Sequence, residues 1–181
     1  YVSNYSSGKM GYALASAAID AGALVTLISG PVNLTEPEGC KFLSVVSAEE
    51  MLSAVLEVSE SAHIFIGAAA VSDYKIESVS DEKIKSNDET LTLTLRKSPD
   101  IIQTVAKKYE QLFVIGFAAE SNNLEGYAKE KLEKKGLDAI IANDISRSDI
   151  GFNSDSNEVN WIDKSSSLIF SKRSKAQLAR D

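Results

Sequence analysis

The residues able to do chemistry gather in a few short stretches, the first being Ser3-Asn4-Tyr5-Ser6-Ser7-Gly8-Lys9-Met10-Gly11. It leads directly into Tyr12, Ala13, Leu14, Ala15, Ala17, Ala18 and Ile19, a stripe of helical period that Gly22 ends. The polar stretch is therefore expected at a helix N-terminus, where unpaired N–H groups and the helix dipole stabilise an oxyanion. Gly8 and Gly11 let main chain approach a phosphate, and Ser6, Ser7 and Lys9 add donors. The stretch spells neither GxxxxGK[ST] nor GxGxxG, and serine with glycine before a helix also serves ordinary capping. Asn4 contributes a neutral amide that orients a carbonyl or acyl intermediate, or simply makes a turn.

The second stretch, residues 63–74, is an apolar run passing into Ala68, Ala69 and Ala70 and then Asp73. Doubly wound sheets bind ligands beyond the carboxyl ends of their strands, and small residues there leave room for backbone contact. Asp73 is placed to hold Mg²⁺ or a substrate hydroxyl, or is a solvated loop aspartate. Residues 112–120 repeat the design with Gly116, Phe117, Ala118, Ala119 and Glu120, so two strand ends of one type are expected to share a crevice. Asn143 and Asp144 end a third such strand. Lys83 is a further cation for a phosphate or nucleotide, or, as is commoner, a solvated strand lysine. Lys131 and Lys135 share a helix face, where spacing alone favours an ion-pair ladder with Glu130 and Glu133.

The elements that must position these groups alternate as helix and strand. Residues 24–29 and 63–67 read as strands buried in a parallel sheet, the latter central, with a weaker strand at 41–46. Ser47 reads as a helix N-cap with Glu50 completing a capping box. Glu82-Lys83-Ile84-Lys85 and Leu91 to Arg96 read as a hairpin turning at Asn87-Asp88, an arm for dimer contact or a flap. Pro99 stands near the start of a helix whose first turn holds Asp100. A helix over 124–135, a strand over 138–144, a hairpin of 158–163 with 167–171, and a helix over 172–180 complete the chain. The fold class is α/β: a Rossmann-like, mostly parallel sheet with flanking helices, a β-hairpin arm and a C-terminal hairpin.

At 181 residues, 44% of them apolar, the chain has the size and core of one domain. The net charge of −7 argues against a general nucleic-acid binder, yet not against an anionic substrate, because exposed charges are screened over about 8 Å. No apolar run is long enough to span a membrane, and a cytoplasmic protein is expected. Cys40 and His63, each the sole residue of its kind, exclude a disulfide framework and disfavour zinc; both read as structural.

Taken together and in order, Ser3 to Gly11, Ala69-Ala70-Val71-Ser72-Asp73-Tyr74, Glu82-Lys83-Ile84-Lys85, Pro99-Asp100-Ile101, Gly116-Phe117-Ala118-Ala119-Glu120-Ser121, Ala142-Asn143-Asp144 and Gly151-Phe152 resemble one family. It is phosphopantothenoylcysteine synthetase, in the bacterial form fused behind a flavin-dependent decarboxylase. The resemblance implies a ligase of coenzyme A biosynthesis, working as a homodimer. It would use CTP and Mg²⁺ to turn the carboxylate of 4′-phosphopantothenate into an acyl-cytidylate, from which cysteine displaces CMP. By the same resemblance, Ser6, Gly8 and Gly11 cradle nucleotide phosphate, Asn4 holds the acyl intermediate, and Lys83 supports its formation. Ala69, Ala70 and Asp73 meet the pantothenate end. Pro99, Asp100, Ile101, Ile102, Phe117, Lys131, Lys135 and Asn143 bind the cytidine nucleotide, which reverses the reading of the two lysines from spacing.

The family also has a first strand, a glycine-rich turn and an arginine ahead of the position of Tyr1, so residues 1–181 are expected to be a single synthetase domain lacking that piece. The competing class is a non-catalytic nucleotide-binding regulatory module of the same fold. A short-chain nicotinamide oxidoreductase is disfavoured because no GxGxxG and no Tyr-x-x-x-Lys pair stands where that chemistry needs it.

Overall fold

The structure, a computed structural model, describes residues 4, 6–78, 82–83, 90–120, 123–144 and 154–181. The elements run α1 (Lys9–Asp20), β1 (Thr26–Ser29), β2 (Lys41–Ser44), α2 (Ala48–Ser59), β3 (Ile64–Gly67), β4 (Tyr74–Ile76), β5 (Leu95–Lys97), α3 (Ile101–Lys108), β6 (Phe113–Glu120), α4 (Leu124–Lys135), β7 (Ala139–Asp144), β8 (Ser156–Asp163), β9 (Ser167–Ser174) and α5 (Lys175–Arg180). The main sheet has the order β3-β6-β7-β8-β9. Its first three strands are parallel, and β8 and β9 extend it as an antiparallel hairpin. The α/β class with a mostly parallel core, expected from the alternation of elements, is what the chain adopts.

Helices α2, α3 and α4 cover the parallel strands around Val55, Val105, Val114, Leu132, Leu137 and Ile140. Strand β6 and β7 carry near-continuous apolar residues because both of their faces are covered; Ala139 and Ile140 are fully buried. Gly67 and Gly116 face each other across the β3–β6 ladder. A Cβ on either would lie 2.9 or 3.0 Å from Ile102 Cδ1, so the glycines let the first turn of α3 rest directly on the sheet. The approach is close because those two side chains are absent.

Several sequence expectations need correction. Strand β3 lies at an edge of the five-stranded sheet among the described residues, not at its centre, and Ile64 is 59% exposed. Strand β1 pairs with β2 in a separate parallel pair, and only Ser29 of it is buried. The arm's ladder is Tyr74–Ile76 with Leu95–Lys97, a register set by residues flanking the expected hairpin; Glu82, Lys83 and Leu91 lie outside strands. The expected turn at Asn87-Asp88 lies outside the described residues. Helix α5 begins at Lys175, not at 172, because the preceding residues continue β9. Asp100 is the N-cap of α3 itself, accepting from Gln103 N at 3.2 Å, so Pro99 precedes the cap.

Candidate active site

Parallel β3, β6 and β7 end on one side of the sheet, where Gly67 leads into the loop of residues 68–73 and β6 and β7 end at Glu120 and Asp144. The start of α1 stands there. Its N-cap, Gly8, is left-handed with φ 75° and has no side chain with which to cap the helix. A Cβ at Gly8 would lie 3.0 Å from Val32 Cγ1, so both conformation and space require glycine. The serine hydroxyls turn onto the loop that leads in: Ser6 Oγ accepts from Gly8 N at 3.4 Å and Ser7 Oγ from Lys9 N at 3.5 Å. These long bonds leave the first turn of α1 as an N–H-rich surface of the kind that binds anions. Lys9, expected to add a donor to it, instead bonds Asp155 Oδ1 at 2.6 Å.

A Cβ on Gly11, in the first turn, would lie 3.8 Å from Ala68 Cβ, in ordinary van der Waals contact, so α1 packs against the small-residue loop that follows β3. Asn4 completes the junction. Its Nδ2 donates to Val71 O at 3.1 Å, so the amide predicted to hold an acyl group is fixed beside Ala69, Ala70 and Asp73. The Asp73 side chain is exposed, and its carbonyl accepts from Ser98 N at 2.8 Å. That bond ties the loop to the entry of α3, where Asp100 Oδ1 and Oδ2 lie 3.2 and 3.1 Å from Lys135 Nζ. Three contacts thus run from Asn4 to Lys135 through the loop after β3 and the cap of α3. The sequence separated these residues by over a hundred positions.

The remaining expected residues are less tightly joined. Asn143 is buried at the C-terminal end of β7, paired with Ala119 of β6. Phe117 lies half-buried on β6, opposite Ile141. Ile101 is buried and Ile102 half-buried at the start of α3, Pro99 is half-buried before them, and Lys131 is half-buried on α4. Lys83 is exposed. Of the two lysines expected in a ladder with Glu130 and Glu133, Lys135 crosses instead to Asp100, and the neighbouring Lys129 pairs with Glu125. Among the described residues no group of three His, Cys, Asp or Glu side chains is placed to hold a metal ion. A lone exposed aspartate suits Mg²⁺ carried in on nucleotide phosphates, which is how that ion is commonly bound, and not a protein cage.

Sequence reasoning missed Asp155 and Lys175. Asp155 was an acid in a polar segment, and Lys175 one of several basic residues near the end of the chain. Lys175 is only 6% exposed, and its ammonium is shifted down by burial first and then by Lys9. The Ser174-x-x-Gln177 spacing was the available signal, since it closes a capping box that starts α5 at this residue.

The protein is thus of the α/β class, with a mostly parallel sheet, flanking helices and a helix N-terminus facing a small-residue loop, an architecture on which many ligand sites are built at the carboxyl edge. Within that class, the chain belongs to the family described as DNA/pantothenate metabolism flavoprotein C-terminal domain, which matches residues 1–181. It is 47% identical over 182 residues to the coenzyme A biosynthesis bifunctional protein CoaBC of Haemophilus influenzae, covering 100% of this chain and 45% of that protein. It is 48% identical over 169 residues to the same-named protein of Escherichia coli, covering 90% and 42%. The chain thus spans under half the length of these curated relatives. A crystal structure of the C-terminal domain of CoaBC superposes with a TM-score of 0.82 at 34% identity, covering 98% of this chain and 80% of that one. The family identified from the motifs is the one found.

Proposed function

We propose that this chain is a phosphopantothenate–cysteine ligase domain of coenzyme A biosynthesis, using CTP and passing through an acyl-cytidylate. Relatives named for coenzyme A biosynthesis over the whole matched length support the pathway. The observation that supports the chemistry is the Asn4 to Val71 bond, which holds the stretch leading into α1 against the small-residue loop after β3.

In the first step a carboxylate oxygen of 4′-phosphopantothenate attacks the α-phosphorus of CTP, and the bond to the β-phosphate oxygen breaks to release pyrophosphate. Ser6, Gly8 and Gly11 stand where main-chain N–H groups oppose the phosphate charge, and Lys83 supplies a cation as the charge moves to the leaving group. At an effective dielectric of 20, a cation 4 Å away contributes about 4 kcal/mol of Coulomb attraction before desolvation. In the second step the cysteine amine attacks the acyl carbon, CMP leaves with the electrons of the C–O bond, and the amine loses its proton. Asn4 orients the acyl carbonyl through a neutral amide that does not repel the mixed anhydride. Ala69, Ala70 and Asp73 meet the pantothenate end, and Pro99, Asp100, Ile101, Ile102, Phe117, Lys131, Lys135 and Asn143 the cytidine nucleotide. Asp100 and Lys135 already neutralise each other, so their part is to shape the base site more than to add charge. Asp73 is the carboxylate that would hold Mg²⁺ carried in on the phosphates, where the ion would supply charge neutralisation.

A cytoplasmic homodimer, fused as in the bifunctional relatives to a decarboxylase, is the assembly proposed. Among the described residues no helix is long and apolar enough to cross a membrane. The test is pyrophosphate release with phosphopantothenate and CTP or ATP, with and without cysteine. Turnover with CTP that yields the cysteine amide, and an Asn4→Asp variant that stalls at acyl-cytidylate, is the expected outcome. Nucleotide binding without pyrophosphate from any nucleotide would leave a binding module.

A further inference from the structure

The N-cap of α1 is a glycine, so the place of its first turn depends on what packs over that bare backbone. The loop after β1 does so. A Cβ at Gly8 would lie 3.0 Å from Val32 Cγ1 and 3.5 Å from Leu34 Cδ1. One turn into the helix stands Tyr12, which the sequence placed in an apolar stripe. Its N–H donates to Gly8 O at 3.1 Å, and its hydroxyl donates to Ser29 Oγ, also at 3.1 Å. Ser29 Oγ donates in turn to Gly30 O at 2.8 Å. Ser29 is the last residue of β1 and the one of its four that is buried. A serine suits the place because its hydroxyl accepts from Tyr12 while donating to a carbonyl. Side-chain packing does not hold the turn that follows, since a Cβ at Gly30 would meet nothing within 4 Å. Two hydroxyls thus run from α1 to the carbonyl at which the chain leaves β1, and two residues later Val32 lies on the N-cap.

We infer that Tyr12 and Ser29 are positioning residues for nucleotide binding, setting the loop of residues 30–34 against the Gly8 N-cap through their paired hydroxyls. The inference deepens the reading that Ser6, Gly8 and Gly11 receive nucleotide phosphate, and rests on it. Neither hydroxyl contacts the nucleotide, since each donates its proton within the protein. Loss of the tyrosine hydroxyl parts the loop's anchor from α1. Loss of the serine hydroxyl does the same and also takes the donor from Gly30 O. Because the two groups form one chain, breaking it at either place has the same consequence, and breaking it twice adds little.

The experiment uses the full-length protein and the variants Tyr12→Phe, Ser29→Ala and Tyr12→Phe/Ser29→Ala. It measures CTP affinity by calorimetry, and pyrophosphate release against the concentrations of CTP and of phosphopantothenate; thermal unfolding checks that each variant is folded. Each single change is expected to weaken CTP binding and raise KM for CTP about fivefold, equivalent to ~1 kcal/mol, the usual net contribution of one hydrogen bond. Both kcat and KM for phosphopantothenate are expected to stay within about twofold of the parent. The double variant is expected to match the weaker-binding single one. A Tyr12→Phe variant with the parent's CTP affinity overturns the inference. So does a double variant whose loss is the product of the two single losses, because the hydroxyls would then act separately. Variants in which both KM values and kcat change together assign the pair a structural role only and overturn it as well. A parent that binds CTP but releases no pyrophosphate overturns the ligase reading alone, since the affinities still test the pair. A parent that binds no CTP overturns both.

Discussion

At the residue scale, two glycines at facing positions decide how closely a helix approaches the sheet beneath the proposed base site. Gly116 is the more constrained. A Cβ there would lie 2.8 Å from Leu137 Cδ1 and 3.0 Å from Ile102 Cδ1, and Leu137 is 1% exposed with no space to retreat into. Gly116→Ala is expected to cost about 1–3 kcal/mol in urea unfolding, the usual range for overpacking. Gly67→Ala meets mainly Ile102 Cδ1, the end of a half-buried side chain that can turn aside, and is expected to cost under ~1 kcal/mol. Both residues were legible as strand-end glycines, but what they accommodate was not, because Ile102 stands 35 positions beyond Gly67 in the sequence. Asn4 shows the same limit. Its amide chemistry could be read from its type, while the carbonyl it binds, that of Val71, depended on which loop the fold delivers.

At the scale of elements, caps and turns were partly legible because their partners are close in sequence. Ser47 caps α2 as expected, accepting from Glu50 N at 3.1 Å, but Glu50 reaches past the cap to Val46 N at 2.8 Å. Asp100 has two functions at once, capping α3 and pairing with Lys135, so Asp100→Asn and Asp100→Ala separate them. The asparagine retains the cap and loses the ion pair; the alanine loses both and is expected to be less stable by a further ~1 kcal/mol in chemical unfolding. The turn between β8 and β9 is organised by Asp163, which accepts from Trp161 Nε1, from the N–H of Ser165 and Ser166, and from both serine hydroxyls. These donors, the Trp161 bond foremost, hold its carboxyl well below the ordinary range. A depressed folded-state pKa contributes stability above the unfolded value of about 3.9, and that stability is lost as pH falls through the folded value. The difference in thermal midpoint between parent and Asp163→Asn is therefore expected to be full above about pH 5 and to narrow towards pH 2. A difference that stays constant over this range would assign the turn's stability to packing and not to the carboxylate.

At the scale of the whole molecule, the described strands form, besides the arm's β4–β5 pair, two sheets: the pair β1–β2 and the five strands β3-β6-β7-β8-β9. The alternation of helix and strand implied a mostly parallel sheet but neither the strand order nor this division, since periodicity does not say which edges meet. Among the described residues β1 is paired only on its β2 side and β3 only on its β6 side. Ile64 and Phe113 are 59% and 43% exposed along this margin, an unusual position for apolar residues at the start of parallel strands. One additional parallel strand between β1 and β3 would satisfy both edges and make a single sheet, and we propose that such a strand, with a glycine-rich turn after it, completes the domain. Its turn would emerge at the same carboxyl edge as the loop bearing Asn4, so completing the sheet also completes the phosphate site. The measurement is amide hydrogen exchange of residues 26–29 and 64–67 in this chain and in one extended at its N-terminus by the corresponding segment of a relative. Slower exchange in both strands of the extended chain, together with tighter CTP binding, is expected. Unchanged exchange in both strands would mean that the two sheets are independent, and would place any remaining phosphate contacts elsewhere than in a strand between them.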